Sequence, residues 1–238
     1  MKTILSIIVL SISLTILSSC SKIVGHGSQT TETRNVPSFT SIESEFMGDV
    51  ILVQDATQSV KVEAQANLID KIYTTVTNNK LTIKLKPGII FSPTNKITVY
   101  IATPTIQEIN LKGSGNLTVQ KNISTSDINI NLTGSGNILI NSLEAVQSKI
   151  NLTGSGNLDI SVGNTEQLTT RIDGSGNANL KKYESQFADI TVTGSGSATI
   201  TAIQTLNATI SGSGDITYYG NPIVETSITG SGNITHQN

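Results

Sequence analysis

The sequence predicts an all-β chain, a parallel β-helix (β-solenoid) of about seven coils with Gly-Ser-Gly-Asn corners, preceded by an irregular β segment that caps it. Three observations predict it. Gly-Ser-Gly begins at Gly113, Gly134, Gly154, Gly174, Gly194, Gly212 and Gly230, so successive corners stand 21, 20, 20, 20, 18 and 18 residues apart, a period typical of stacked repeats. Apolar and polar residues alternate on both sides of every corner, as a half-buried strand requires. Between corners no stretch of helical period is long enough for a crossover helix, so each return segment is itself extended or looped.

Residues 1–20 read as a lipoprotein signal peptide. Lys2 gives a positive start, Ile4 to Leu17 is an apolar run too short for a comfortable membrane span, and Leu17-Ser18-Ser19 leads into Cys20, the only cysteine. That arrangement resembles a bacterial lipoprotein signal, with Cys20 as the lipid attachment residue; an ordinary secretory signal with an incidental cysteine is the plainer alternative. Either way the chain is exported and, with one cysteine, forms no internal disulfide. A cell-envelope location follows, with the outer membrane ahead of the inner and the periplasmic or surface face open. Residues 21–36 lack periodicity and are rich in Ser, Thr and Gly, so they read as a flexible tether.

Residues 37–104 carry strand patterns at Asp49 to Gln54, Ser59 to Ala64, Ile72 to Thr77, Lys80 to Lys86 and Lys96 to Ala102, with Asn78-Asn79 as a hairpin turn. They form either a separate small sheet or irregular first coils. A cap is needed there, because a naked coil end exposes apolar side chains and unpaired amides.

Residues 105–238 are the repeat. Two positions before each corner lie Leu111, Leu132, Leu152, Ile172, Val192, Ile210 and Ile228, and four positions after its first glycine lie Leu117, Ile138, Leu158, Ala178, Ala198, Ile216 and Ile234; these are inward columns. The corner residues are Gly113, Gly115 and Asn116; Gly134, Gly136 and Asn137; Gly154, Gly156 and Asn157; Gly174, Gly176 and Asn177; Gly194 and Gly196; Gly212 and Gly214; and Gly230, Gly232 and Asn233. Glycine suits a sharp bend with positive φ or a close approach by the coil above, and stacked Asn side chains can bond along the axis as a ladder.

Ligand-loop readings of the corner fit less well. The glycine-rich calcium repeat carries a regular aspartate, and here only Asp215 occupies that place. No Gly-Lys-Ser/Thr and no helix follows the glycines, as a phosphate loop requires. No metal ligand set, cofactor or catalytic residue is expected.

A net charge of -2 offers no concentrated basic face for nucleic acid. With 4% aromatic residues and no tryptophan, the expected ligand surface is polar and flat. Parallel β-helices include polysaccharide lyases and hydrolases, which gather acids from adjacent coils. The outward position five before the glycine holds Glu108, Asn129, Lys149, Thr169, Asp189, Asn207 and Glu225, so its acids never occupy neighbouring coils. Ice or surface binding by the outward Thr column is interrupted by Arg171 and Asp173. The last coil, ending at His236 and Gln237, carries no cap pattern; it pairs with another molecule, giving a homo-oligomer, or is blunted by those two side chains.

The Phe39 strand, GDVILVQ at Gly48 to Gln54, NNKLTIKL at Asn78 to Leu85 and the serial GSGN corners together resemble the head GIN domain family, labelled auto-transporter adhesins, over about Val36 to Asn238. The resemblance implies a β-solenoid envelope protein, often a lipoprotein, and no catalytic residue. The expected function is a lipid-anchored, non-enzymatic, adhesin-like protein binding a glycan or protein. The alternative is a carbohydrate-active β-helix enzyme.

Overall fold

The computed structural model describes residues 21–238; Cys20 and the signal before it lie outside the described residues. The fold is all-β apart from one short 3-10 turn at Ile69–Lys71, with a β-solenoid of about six stacked turns. Seven corners delimit six turns between them, close to the seven coils expected.

The stretch expected as a tether is ordered. β1 (Ser21–Val24) pairs in parallel with a strand at Ile89–Ser92, and β2 (Gln29–Arg34) pairs antiparallel with one at Ser59–Gln65. Asn67 clamps the segment between them, donating from Nδ2 to the Val24 carbonyl (2.9 Å) and accepting from the His26 amide (2.8 Å). Arg34 donates to the Ile69 carbonyl at 2.7 Å. β2 is an outer strand held by backbone pairing with its side chains largely in solvent, so it needs no apolar alternation and its Thr-rich composition conceals it, while β1, with only Ile23 turned to the core, is too short to show a pattern.

β3 (Ser41–Glu45) and β4 (Asp49–Gln54) flank a corner made of Phe46-Met47-Gly48 and lie directly beneath the first regular coil. They are followed by β5 (Ser59–Gln65), β6 (Ile72–Thr77), β7 (Lys80–Leu85), β8 (Ile89–Ser92) and β9 (Thr98–Thr103). β7 and β9 continue the two columns downward in parallel with β3 and β4; β6 and β5 then pair antiparallel to them. Residues 37–104 are therefore early coils closed by antiparallel strands, the β6–β7 hairpin on one column and β5 on the other, and one core cluster extends from Phe39 to Ile216.

The regular coils follow as β10 (Glu108–Gly113), β11 (Asn116–Gly134), β12 (Asn137–Gly154), β13 (Asn157–Ile160), β14 (Gly163–Gly174), β15 (Asn177–Gly194), β16 (Ser197–Gly212), β17 (Asp215–Tyr219), β18 (Ile223–Gly230) and β19 (Ile234–His236). Corner stacks on corner: Gly113 on Gly134, Gly134 on Gly154, Gly154 on Gly174. Changes in coil length are absorbed in the return segment. The longer first coil slips between Val119 and Asn122, and the shorter 18-residue coil slips between Leu180 and Phe187.

The inward columns are buried as far as Ile210 and Ile216, whereas in the last turn Ile228 is exposed and Ile234 half-buried. One break is Gly163, between Leu143 and Tyr183 in the same column. Tyr183 is fully buried, and its hydroxyl reaches past the Gly163 coil to Ser148 Oγ at 2.6 Å. The first coil lacks a backbone partner under its return segment, and Gln54 substitutes: its amide donates to the Ser124 carbonyl (3.2 Å) and accepts from the Ser124 amide (2.8 Å). At the far end β18 pairs only with β16 and every one of its residues is exposed.

Candidate functional site

At the corners the backbone turns back on the coil beneath. The first glycines hold φ between 105° and 130°. The amides of Ser135 and Gly136 both donate to the Gly113 carbonyl (2.9 and 3.0 Å), and those of Ser155 and Gly156 to Gly134, with the pattern repeated up the stack. Amides so engaged offer no anion-holding nest. Asn116, Asn137, Asn157 and Asn177 form a ladder, each Nδ2 donating to the Oδ1 below at 2.9–3.1 Å and the lowest to Asp49 Oδ1 at 2.9 Å. Asn233 pairs with Asp215 in the same way. Arg171 clasps Asp173 through two bonds, at 2.8 and 3.1 Å, which interrupts the outward Thr column.

Charge gathers on the amino-terminal coils. Lys112 meets Glu43 (2.8 Å) and Glu45 (3.0 Å), and Lys80 meets Glu108 (3.3 Å). The Lys112 ammonium holds the Glu45 carboxyl below the usual carboxylate range. These groups neutralise one another across β3, β7 and β10, so the network is structural.

The surface is not flat. Each coil bends just before the strand leading to its corner, and the Thr125 and Thr165 hydroxyls brace the bend by donating to the carbonyls two residues on, Asp127 (3.2 Å) and Gln167 (3.1 Å). Stacked bends make a groove along the solenoid axis. Its two hollows, ≈ 250 and ≈ 330 Å³, share Gln167 and Thr169. One wall is Asp127, Gln147, Gln167, Phe187 and Thr205; the other is Asn129, Lys149, Thr169, Asp189 and Asn207.

The second wall is the outward column considered above for catalysis. The first wall was missed, because its place depends on a bend that the alternation does not mark. The only signal was Phe187, an aromatic residue at an outward position, and it is 39% exposed.

This groove can hold a hydroxyl-rich ligand. Gln147, Gln167, Asn129 and Asn207 each offer both donors and an acceptor, and the Phe187 ring offers an apolar face. Asp127 and Asp189 lie three coils apart, roughly 14 Å at the strand spacing. That exceeds the separation of either glycosidase carboxylate geometry. No group of metal-binding side chains occurs among the described residues.

The stacked coils and the polar groove along them define a β-solenoid protein. The chain belongs to the family described as "Putative auto-transporter adhesin, head GIN domain", whose pattern matches residues 38–222. No curated protein matches it. Among solved structures it is similar to a "putative adhesin" from Bacteroides fragilis, at 23% identity and a TM-score of 0.87, covering 90% of this chain and 100% of that one. It is also similar to a "Putative lipid binding protein" from Parabacteroides distasonis (24%, TM-score 0.76, 92% and 100%). A "putative adhesin" from Parabacteroides merdae shows the same likeness (21%, TM-score 0.75, 92% and 100%). At these identities the likeness establishes the fold.

Proposed function

We propose that this chain is a non-enzymatic envelope lipoprotein, anchored through lipid on Cys20, that binds a neutral glycan along the axial groove. The observation that carries the reading is the Phe187 ring set among stacked amides in a continuous groove. Charge in the groove is sparse and mixed, with Asp127, Lys149 and Asp189 on separate coils, which favours hydrogen bonding over ionic recognition. Wide separation of the two acids supports binding without turnover. The outer membrane is the site of anchorage, and the unpartnered β18 edge meets a second copy.

Calorimetry with neutral oligosaccharides of defined length tests the groove. Phe187→Ala and Gln167→Ala each weaken binding by about tenfold, the loss of one stacking or hydrogen-bonding contact, without lowering the unfolding midpoint, and the sugar is recovered intact. Wild-type affinity in Phe187→Ala, or cleavage of the sugar, would sink this reading.

A further inference from the structure

The order of residues 21–24 changes what a lipid on Cys20 would do. A flexible tether would hold the body away from the bilayer, yet β1 begins at Ser21, the residue after Cys20, and is paired along its length with β8. Two peptide steps separate Cys20 from Lys22, at most about 7 Å. A lipid at Cys20 therefore brings the β1–β8 ribbon to the membrane surface.

The ribbon suits that place. Its inner face is Ile23 and Phe91, packed on the core. Its outer face carries Lys22 and Val24 from β1 and Ile90 from β8, with Lys22 beside Ile90 in register. Val24 is 52% and Ile90 51% exposed, and the register sets them diagonally across the ribbon, Val24 opposite Ser92. Lys22 is exposed and in no ion pair among the described residues, and Lys86, three residues before β8, is exposed too, with its charge felt by Asp70. Beyond the end of β8, Pro93 and Met47 line a further hollow with Lys96.

Aliphatic tips flanked by lysines form an interfacial surface, in which the tips enter the acyl boundary and the ammonium groups meet anionic headgroups. Lipidation by itself gives reversible attachment that a second, basic contact strengthens. We infer that the outer face of the β1–β8 ribbon lies on the anionic phospholipid surface of the membrane that holds Cys20, as a second contact beside the lipid. This rests on the proposed lipidation of Cys20. It fixes the amino-terminal layers against the bilayer, with the groove on the coils beyond them.

The chain contains no tryptophan, so a single indole reports on its own position. Full-length Ile90→Trp and Ile203→Trp proteins, purified from membranes, are reconstituted into phosphatidylethanolamine and phosphatidylglycerol vesicles with brominated acyl chains. The indole of Ile90→Trp is expected to emit to the blue and be quenched by bromine, that of Ile203→Trp to do neither, and Lys22→Glu with Lys86→Glu to abolish the quenching. Lipidated, vesicle-bound protein with an unquenched Ile90→Trp indole overturns the inference alone, as does a blue shift without quenching, which marks a protein partner. A chain without lipid on its mature terminus, recovered in the soluble fraction, overturns the anchorage together with it.

Discussion

Gly134 lies on Gly113 so closely that a Cβ on Gly134 would stand 2.5 Å from the Gly113 carbonyl oxygen, whereas a Cβ on Gly113 meets nothing within 4 Å. Both have positive φ, 105° at Gly113 and 115° at Gly134, so alanine at either carries similar backbone strain, about 1–3 kcal/mol. Only at Gly134 does it also force two coils apart. Gly134→Ala is therefore expected to be less stable than Gly113→Ala by about 1–3 kcal/mol, the usual range for overpacking. Urea unfolding of the two variants measures the difference, and equal midpoints would show that backbone conformation alone explains the corner glycines.

The Asn ladder is a second source of order on the same edge. Asn157 donates to Asn137 at 3.1 Å and accepts from Asn177 at 2.9 Å. Asn157→Ala removes both bonds on an exposed edge, and a loss of about 1–2 kcal/mol is expected. Asn233→Ala, at the far end, breaks the side-chain bond to Asp215 alone and should lose less. The same urea titration ranks the pair.

Tyr183 gives the fold an alkaline limit. Burial pushes its phenol above the ordinary value, although the Ser148 and Thr165 hydroxyls pull it down. As pH rises past about 10 the unfolded chain loses this proton first. The native state then binds one more proton than the unfolded state, and stability falls by up to about 1.4 kcal/mol per pH unit. Below that range the contribution is fully present. Tyr100, lifted by the Glu63 carboxylate, adds to the same limb. Tyr183→Phe should flatten the slope and lower stability near neutral pH by about 1–3 kcal/mol, because Ser148 loses its partner. Midpoints measured from pH 8 to 12 check both effects.

What the sequence made legible was whatever repeats. Leu111, Leu132 and Leu152 announce an inward column because strand side chains alternate and the corner fixes the register. Single features announced nothing. Gln54 stands in for a missing strand, and no pattern distinguishes it from other outward Gln residues. β2 is polar throughout, and its pairing with β5 rests on backbone bonds that side-chain patterns do not reveal. The groove lies between these cases. Lys149, Thr169 and Asp189 were visible as a column, but their neighbours Gln147, Gln167 and Phe187 form a facing wall only because each coil bends between them.

The two ends of the stack differ in a way that bears on assembly. At the amino-terminal end β2 carries the Arg34–Glu32 ion pair at 3.0 Å, and antiparallel strands close the columns. At the other end β18 is unpaired on its outer side, with Ile223 79% and Ile228 46% exposed. His236 stacks on Tyr218 and bonds to the Gly220 carbonyl at 2.7 Å, which braces the short β19 on β17, while the longer β18 edge has no such brace. An edge strand without lysine, a bulge or an interior proline invites another strand. Head-to-tail growth would press this edge onto the charged outer strands of a neighbour, whereas a two-fold arrangement sets β18 antiparallel to its own copy and closes after two molecules. A concentration-dependent dimer is thus expected in sedimentation of residues 21–238. Ile228→Lys, which puts a charge in the centre of the contact, should return it to monomer without altering the unfolding midpoint of the monomer. A wild-type domain that stays monomeric at its solubility limit would show that the edge is left solvated.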